Sequence, residues 1–200
     1  MNLSRRGIDF IIEQEATGEK YYTKRESRPN WPGESSGVTI GIGWDIGQNT
    51  AEALRQEWGQ ELWESHLERL EAVAGITGPK AEKYCEELND IDIPWASAIR
   101  VFKKFTIPRY WALTLKAYPQ AETIHPDAAS ALVSLVFNRG ASLKGDRRIE
   151  MRAIQSALAD NRLEAIPQLF KDQTRLWPDT EGLRNRRIAE ANLFQSTLTA

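Results

Sequence analysis

Cysteine is nearly absent from this chain: Cys85 stands alone in 200 residues. No internal disulfide is possible, so the fold does not depend on an oxidising compartment. Histidine is almost as scarce. His66 and His125 lie far apart, and HExxH does not occur, so no metal site is expected. No apolar run reaches the ~20 residues of a membrane-spanning helix. The start, MNLSRRGIDFIIEQE, lacks an apolar stretch ending in a small-residue cleavage site, so no signal peptide is read. A basic excess is also missing. Twenty-eight acids against 26 Lys and Arg leave a net charge of -2, which disfavours nucleic acid as a partner. Gly41–Gly43 lacks the third glycine of a dinucleotide fingerprint. No cofactor is expected.

What is present suffices for a sizeable core: 41% hydrophobic residues, seven of the chain being Trp. The length fits one domain. Charge is uneven along it. Asp45 to Asp92 carries 12 acids and four bases, whereas Arg139 to Arg187 carries 11 bases and seven acids. The second stretch predicts a basic face, with Arg139, Arg147, Arg148, Arg184, Arg186 and Arg187 among those able to meet an anionic polymer.

The stretch Gly37–Gly47 interrupts an otherwise helical pattern. Val38, Ile40 and Ile42 alternate with Thr39, Gly41 and Gly43, the period of a short strand. The glycines mark either a groove-lining edge that presents Thr39 and Asp45, or a plain Gly-rich hairpin. Before it, Ser4 caps a helix predicted over about 5–16, with Gly18 as its stop. Tyr21 and Tyr22 read as a first short strand, followed by a proline-broken loop, Thr23 to Gly37. After it, Ala51, Leu54, Trp58, Leu62, Trp63, Leu67, Leu70 and Val73 give one long amphipathic run. Thr77 is a candidate cap for the next helix. Pro94 opens another, which Pro108 interrupts or ends. Ala129 to Phe137 is apolar nearly all round and is expected to be the buried central helix. Helices follow over Ile149–Leu158, Leu163–Phe170 and Gly182–Phe194, with a frayed tail from Gln195 to Ala200.

Two carboxylates and a hydroxyl stand out: Glu15 at a helix end, Thr39 on the strand and Asp45 just beyond it. An acid at a helix C-terminus faces the electronegative end of the dipole and holds its proton more tightly. Glycoside hydrolysis needs one protonated carboxyl for the leaving oxygen and one ionised carboxylate for water or the sugar cation. A Thr hydroxyl can fix that water.

Three segments carry a family resemblance. FIIEQEATGEKYY places Glu15 seven residues before Tyr22. VTIGIG spans Val38 to Gly43. ALVSLVFNRG is followed later by GLRNRRIAEANLF. The chain resembles the phage-type lysozymes, and most closely the pesticin-like muramidase domain, because an Asp follows the TIG strand instead of preceding it. Between Tyr22 and Thr39 there is no Asp, only Glu26 and Glu34.

The resemblance implies an α+β, lysozyme-like fold over 1–200, with a small β-hairpin lobe packed against a mainly helical lobe. The N-terminal helix and β lobe would cover about 1–48, a connecting helix about 49–79, and the helical lobe about 80–195. It implies an N-acetylmuramidase of the lysozyme class, cleaving the β-1,4 bond between N-acetylmuramic acid and N-acetylglucosamine with inversion. Alternatives are a lytic transglycosylase and an inactive peptidoglycan-binding module. Glu15 would be the general acid, Asp45 the base or electrostatic partner, and Thr39 the water-positioning residue. Tyr22, Trp31, Trp44, Asn138 and Arg139 are the substrate-binding candidates. Trp44 stands where many phage enzymes carry a His, and either stacks on a sugar or packs in the core. The expected partner is the glycan strand of peptidoglycan, engaged by a monomer with no nucleic acid and no integral membrane association. Synthesis in the cytoplasm and action on the wall would require a holin, or a secretion system with a cognate immunity protein.

Overall fold

The computed structural model describes residues Met1–Leu198; of the expected frayed tail, Thr199 and Ala200 lie outside the described residues. The architecture is α+β: 66% of the chain is helical, and a two-stranded antiparallel sheet packs against the helices. The chain forms two compact units, Glu15–Ile107 and Met1–Gln14 with the chain from Pro108 on. The lobes read from the sequence break instead at about 48 and 79.

Helix α1 (Arg5–Ala16) has the predicted bounds, and the Ser4 hydroxyl accepts from Gly7 N–H at 2.8 Å. Thr17 (φ 52°) and Gly18 (φ 90°) end it in left-handed conformations. Gly18 then allows an immediate restart as α2 (Glu19–Arg25). Tyr21 and Tyr22 are therefore helical, correcting the expected strand. Glu19 in the first turn and Lys24 and Arg25 in the last complement the helix dipole. Only Tyr22 is buried in α2. Its ring lies 5.1 Å from Trp95, and its hydroxyl donates to Ile93 O at 3.0 Å.

The Val38–Gly43 alternation resolves into a hairpin of β1 (Thr39–Ile40) and β2 (Trp44–Asp45), in register Thr39↔Asp45 and Ile40↔Trp44. Gly41 (φ 57°) and Gly43 (φ 68°) supply the turn. A Cβ on Gly41 would fall 2.4 Å from the Trp58 ring, so glycine there also lets the hairpin seat on a helix.

That helix is α3 (Ala51–Trp58), capped by Thr50 as expected. The long amphipathic run breaks after it, and α4 spans Glu64–Glu71. Trp63, read as part of the apolar stripe, is 79% exposed at the break. Ion pairs from Arg55 to Glu64 and Glu71 tie α3 to α4. Helix α5 (Pro79–Glu87) starts after Gly78, with no side-chain cap; Thr77 bridges Gly37 instead. Helix α6 (Trp95–Val101) runs through a π turn, Phe102–Thr106, into α7 (Ile107–Ala117). Pro108 explains the widened turn: it lacks an N–H and its ring displaces a carbonyl of the preceding turn.

In the second unit, α8 (Pro126–Arg139) is the buried helix, with Leu132, Val133, Leu135 and Val136 all at 0% exposure. Phe137 is half-buried and stacks on Tyr110 at 4.0 Å. The same unit holds α9 (Ile149–Ala159), α10 (Ile166–Asp172), which packs on α9, and α11 (Glu181–Gln195), which packs on both α8 and α10.

Candidate functional site

Gly37 organises the hairpin end of the Glu15–Ile107 unit. Its N–H donates to both oxygens of Asp45, at 3.0 and 3.1 Å, and its carbonyl accepts from the Thr39 hydroxyl at 3.4 Å. One residue's backbone therefore holds both side chains. The local chain leaves no room for a larger residue there: a Cβ on Gly37 would lie 2.4 Å from the Gly47 backbone, and one on Gly47 would lie 2.3 Å from Ile76 O.

Asp45 also caps the 3-10 turn Ile46–Gln48, accepting from Gln48 N–H at 3.2 Å. A carboxylate offers about four lone-pair sites, so these bonds fix its orientation and leave limited capacity for a further donor. Thr39 is 7% exposed. Its strand position is locked on both sides, by Asp45 across the hairpin and by paired backbone bonds with Asn30 at 2.8 and 3.0 Å. Those bonds pin the Thr23–Gly37 loop against β1.

Glu15 is the penultimate residue of α1 and is half-buried. Of the two loop glutamates, Glu34 is exposed in a left-handed conformation (φ 51°). Glu26 follows the last turn of α2, and its partial burial raises its pKa above the ordinary 4.5.

Residues 8–109 match the family described as Domain of unknown function (DUF8812). The chain belongs to the DUF8812 family. Among curated proteins, none matches it. The DUF8812 match and the compact unit end within two residues of each other, at 109 and 107. Glu15, Thr39 and Asp45 all lie inside both. Asn138 and Arg139 lie in neither.

The substrate-binding candidates divide by exposure. Tyr22 is wholly buried, and Trp44 is 4% exposed, donating to Glu57 Oε2 at 2.7 Å with its ring edge-on to Trp58. Neither ring offers a face to solvent, so packing accounts for both. Trp31 is half-buried and anchors its loop by donating to Ser36 O at 3.0 Å. Asn138 is exposed. Arg139 is buried; it donates to Gln173 Oε1 at 2.6 Å and to Arg147 O, and lies 5.0 Å over the Trp177 ring. Burial, with Arg148 and Arg187 adding repulsion, pushes its pKa down to about 10.

The expected basic face needs correction. Arg139, Arg186 and Arg187 are interior residues, at 7%, 7% and 0% exposure. Glu190 gives Arg186 and Arg187 a common acceptor. Arg147, Arg148 and Arg184 remain at or near the surface but bond to carbonyls of their own unit. Sequence reasoning also missed Glu57 and Asn30, whose partners are distant in sequence, and the Gly37–Gly47 crossing. The last had a signal, since two glycines bracket the hairpin. No cluster of His, Cys, Asp or Glu suited to a metal occurs among the described residues, and none of the described helices is long and apolar enough to cross a membrane.

Proposed function

We propose that the chain is a peptidoglycan hydrolase, an N-acetylmuramidase with a lysozyme-like fold. Glu15 donates a proton to the leaving glycosidic oxygen, Asp45 serves as base or electrostatic partner, and Thr39 orients the water. The observation that carries this reading is the Gly37 clamp. Asp45 and Thr39 are opposite each other in register and are held by one backbone residue, which is the fixed placement that acid–base chemistry demands. The resemblance in the segments around Glu15 and Thr39 supports the same assignment. Localisation follows from substrate: the protein acts on the wall, after holin release or delivery by a secretion system, and in the latter case with an immunity protein.

Purified sacculi test this directly. Release of reducing sugar, as the α anomer, is the expected result for an inverting muramidase; a pure β product refutes inversion. A second reading has its own support. The backbone bonds that occupy Asp45 suit a lytic transglycosylase, in which Glu15 alone carries the proton and the substrate's own hydroxyl attacks. Anhydro ends in place of reducing ends would select that reading. Binding without any release would select an inactive wall-binding module.

A further inference from the structure

The Glu15–Ile107 unit is acidic, with 16 Asp and Glu against 11 Lys and Arg. Its cations should therefore be consumed by carboxylates, and three of its arginines are. Arg55 pairs with Glu64 and Glu71, Arg69 with Asp90, and Arg100 with Glu61. Against that background, one cleft of about 340 Å³ gathers Lys24, Arg25 and Arg28 with the side chains of Thr23, Ser27 and Asp92. Three cations face a single acid there, and none of the three makes an ion pair among the described residues.

The cleft is built by the fold. Ser27 is 8% exposed; its hydroxyl donates to Thr23 O at 3.3 Å, and its carbonyl accepts from Ile93 N–H at 2.7 Å. These bonds set the end of α2 against the segment that carries Asp92. Arg28 is steered by Asn89 Oδ1, which accepts from its guanidinium at 2.8 Å. Helix-dipole compensation accounts for Lys24 and Arg25 in the last turn of α2. It does not account for Arg28, which lies beyond the helix and lines the same cleft.

We propose that this cleft is an anion subsite that takes a carboxylate of the wall's stem peptides. Choosing that carboxylate rests on the muramidase reading; the excess of cations in the cleft does not. A planar carboxylate matches the guanidinium forks of Arg25 and Arg28, with Lys24 as a point charge and Asp92 excluding ligands that carry a second anionic group close by. The function of the subsite is register: it would hold the peptide-bearing sugar while the glycan lies at the hydrolytic centre.

The test compares wild type with the triple variant Lys24→Gln, Arg25→Gln, Arg28→Gln, each shown folded by its melting transition. Titration with a free stem tetrapeptide at low salt should show binding to wild type. Affinity should fall on the order of tenfold in the variant, the sum of three exposed charge contacts, and should fall similarly for a peptide whose carboxyls are amidated. Absence of peptide binding to wild type, or equal binding by the variant, overturns the subsite. Cleavage of peptide-free glycan strands is measured in parallel and should be the same in both proteins. If no glycan is cleaved but the peptide binds and the variant loses it, the muramidase reading falls and the subsite stands.

Discussion

The Gly37–Gly47 crossing and the α8–α11 pair hold polar side chains in opposite ways. At the crossing, main-chain groups hold them. Gly37 clamps Asp45 and Thr39, Ile46 N–H bonds Val38 O at 2.8 Å, and Gly78 N–H bonds Ser36 O at 2.9 Å. Between α8 and α11, side chains hold one another. Glu190, at 0% exposure, accepts from Ser134 at 2.6 Å, Arg187 at 2.8 Å and Arg186 at 3.2 Å through one oxygen. A backbone clamp fixes a carboxylate while leaving part of it at the surface; Asp45 is only half-buried. The side-chain network encloses Glu190 and Arg187 fully and Arg186 nearly so. The first arrangement suits chemistry on an outside molecule and the second suits stability, so substitutions in the two places should fail differently.

The largest effect is expected at Glu190. Replacing it with Leu removes the acceptor shared by three donors in the interior, and loss of one member of a buried charge network costs about 3–5 kcal/mol. Chemical denaturation should show this loss, while any folded fraction keeps its specific activity. A cost below about 1 kcal/mol would mean that apolar packing, not the network, holds α11 on α8. Next come Glu15→Gln and Asp45→Asn. Each should lower kcat on sacculi by about a hundredfold or more, the usual range for acid–base groups, with little change in melting temperature. Asn keeps an acceptor oxygen for Gly37 N–H, so Asp45→Asn separates charge from clamp. Near wild-type activity in that variant, with anhydro products, would move the chain to the transglycosylase reading.

A smaller effect is expected at Gly37. Its Ala variant forces a methyl group into the Gly47 backbone and should cost about 1–3 kcal/mol, with an activity loss because both clamped side chains shift. Gly43→Ala is the control. Gly43 has positive φ but open space around it, so it should lose about 1 kcal/mol and keep activity. Equal activity losses in the two would show that the hairpin turn matters and the clamp does not.

What the sequence revealed follows the range of the forces involved. The bounds of α1 were legible because Ser4 and Gly18 each act within a turn of the helix end they mark. The burial of α8 was legible because no residue of Ala129–Val136 is charged and its only polar side chains are the small Ser130 and Ser134. The helix at Tyr21–Tyr22 was not, since two aromatics carry strand propensity and only the Tyr22 contacts with Ile93 and Trp95, some 70 residues on, decide the matter. The exposed Trp63 was misread because periodicity does not report that the chain breaks at Gly59. At the candidate site, the placing of Thr39 and Asp45 on either side of a Gly-rich turn could be read, but the Gly37 clamp that joins them could not. Arg186 reads as part of the basic face because charge alone gives no hint of a buried Glu190, whereas Arg187, in line with Leu183, Ala191 and Phe194, carries a sign of its burial.

The smallest expected effect concerns Glu26, the loop carboxylate that the phage arrangement would favour over Asp45. Partial burial raises its folded pKa above 4.5. The folded state then binds the proton more tightly than the unfolded state does, so the contribution is fully present below the unfolded value and is lost as pH rises through the folded one. Wild type should therefore lose stability relative to Glu26→Gln in a window that opens near 4.5 and extends upward, and the two should run parallel above it. At neutral pH the difference should lie within about 0.5 kcal/mol, as for other partly exposed positions. Activity on sacculi should fall less than about tenfold, below the range of an acid–base group; Glu34→Gln should be near neutral. Melting curves from pH 4 to 8, beside initial rates at each pH, make the comparison. A collapse of activity in Glu26→Gln, with Asp45→Asn left active, would show that the clamp at Gly37 serves only the fold and that the reacting carboxylate sits at the end of α2.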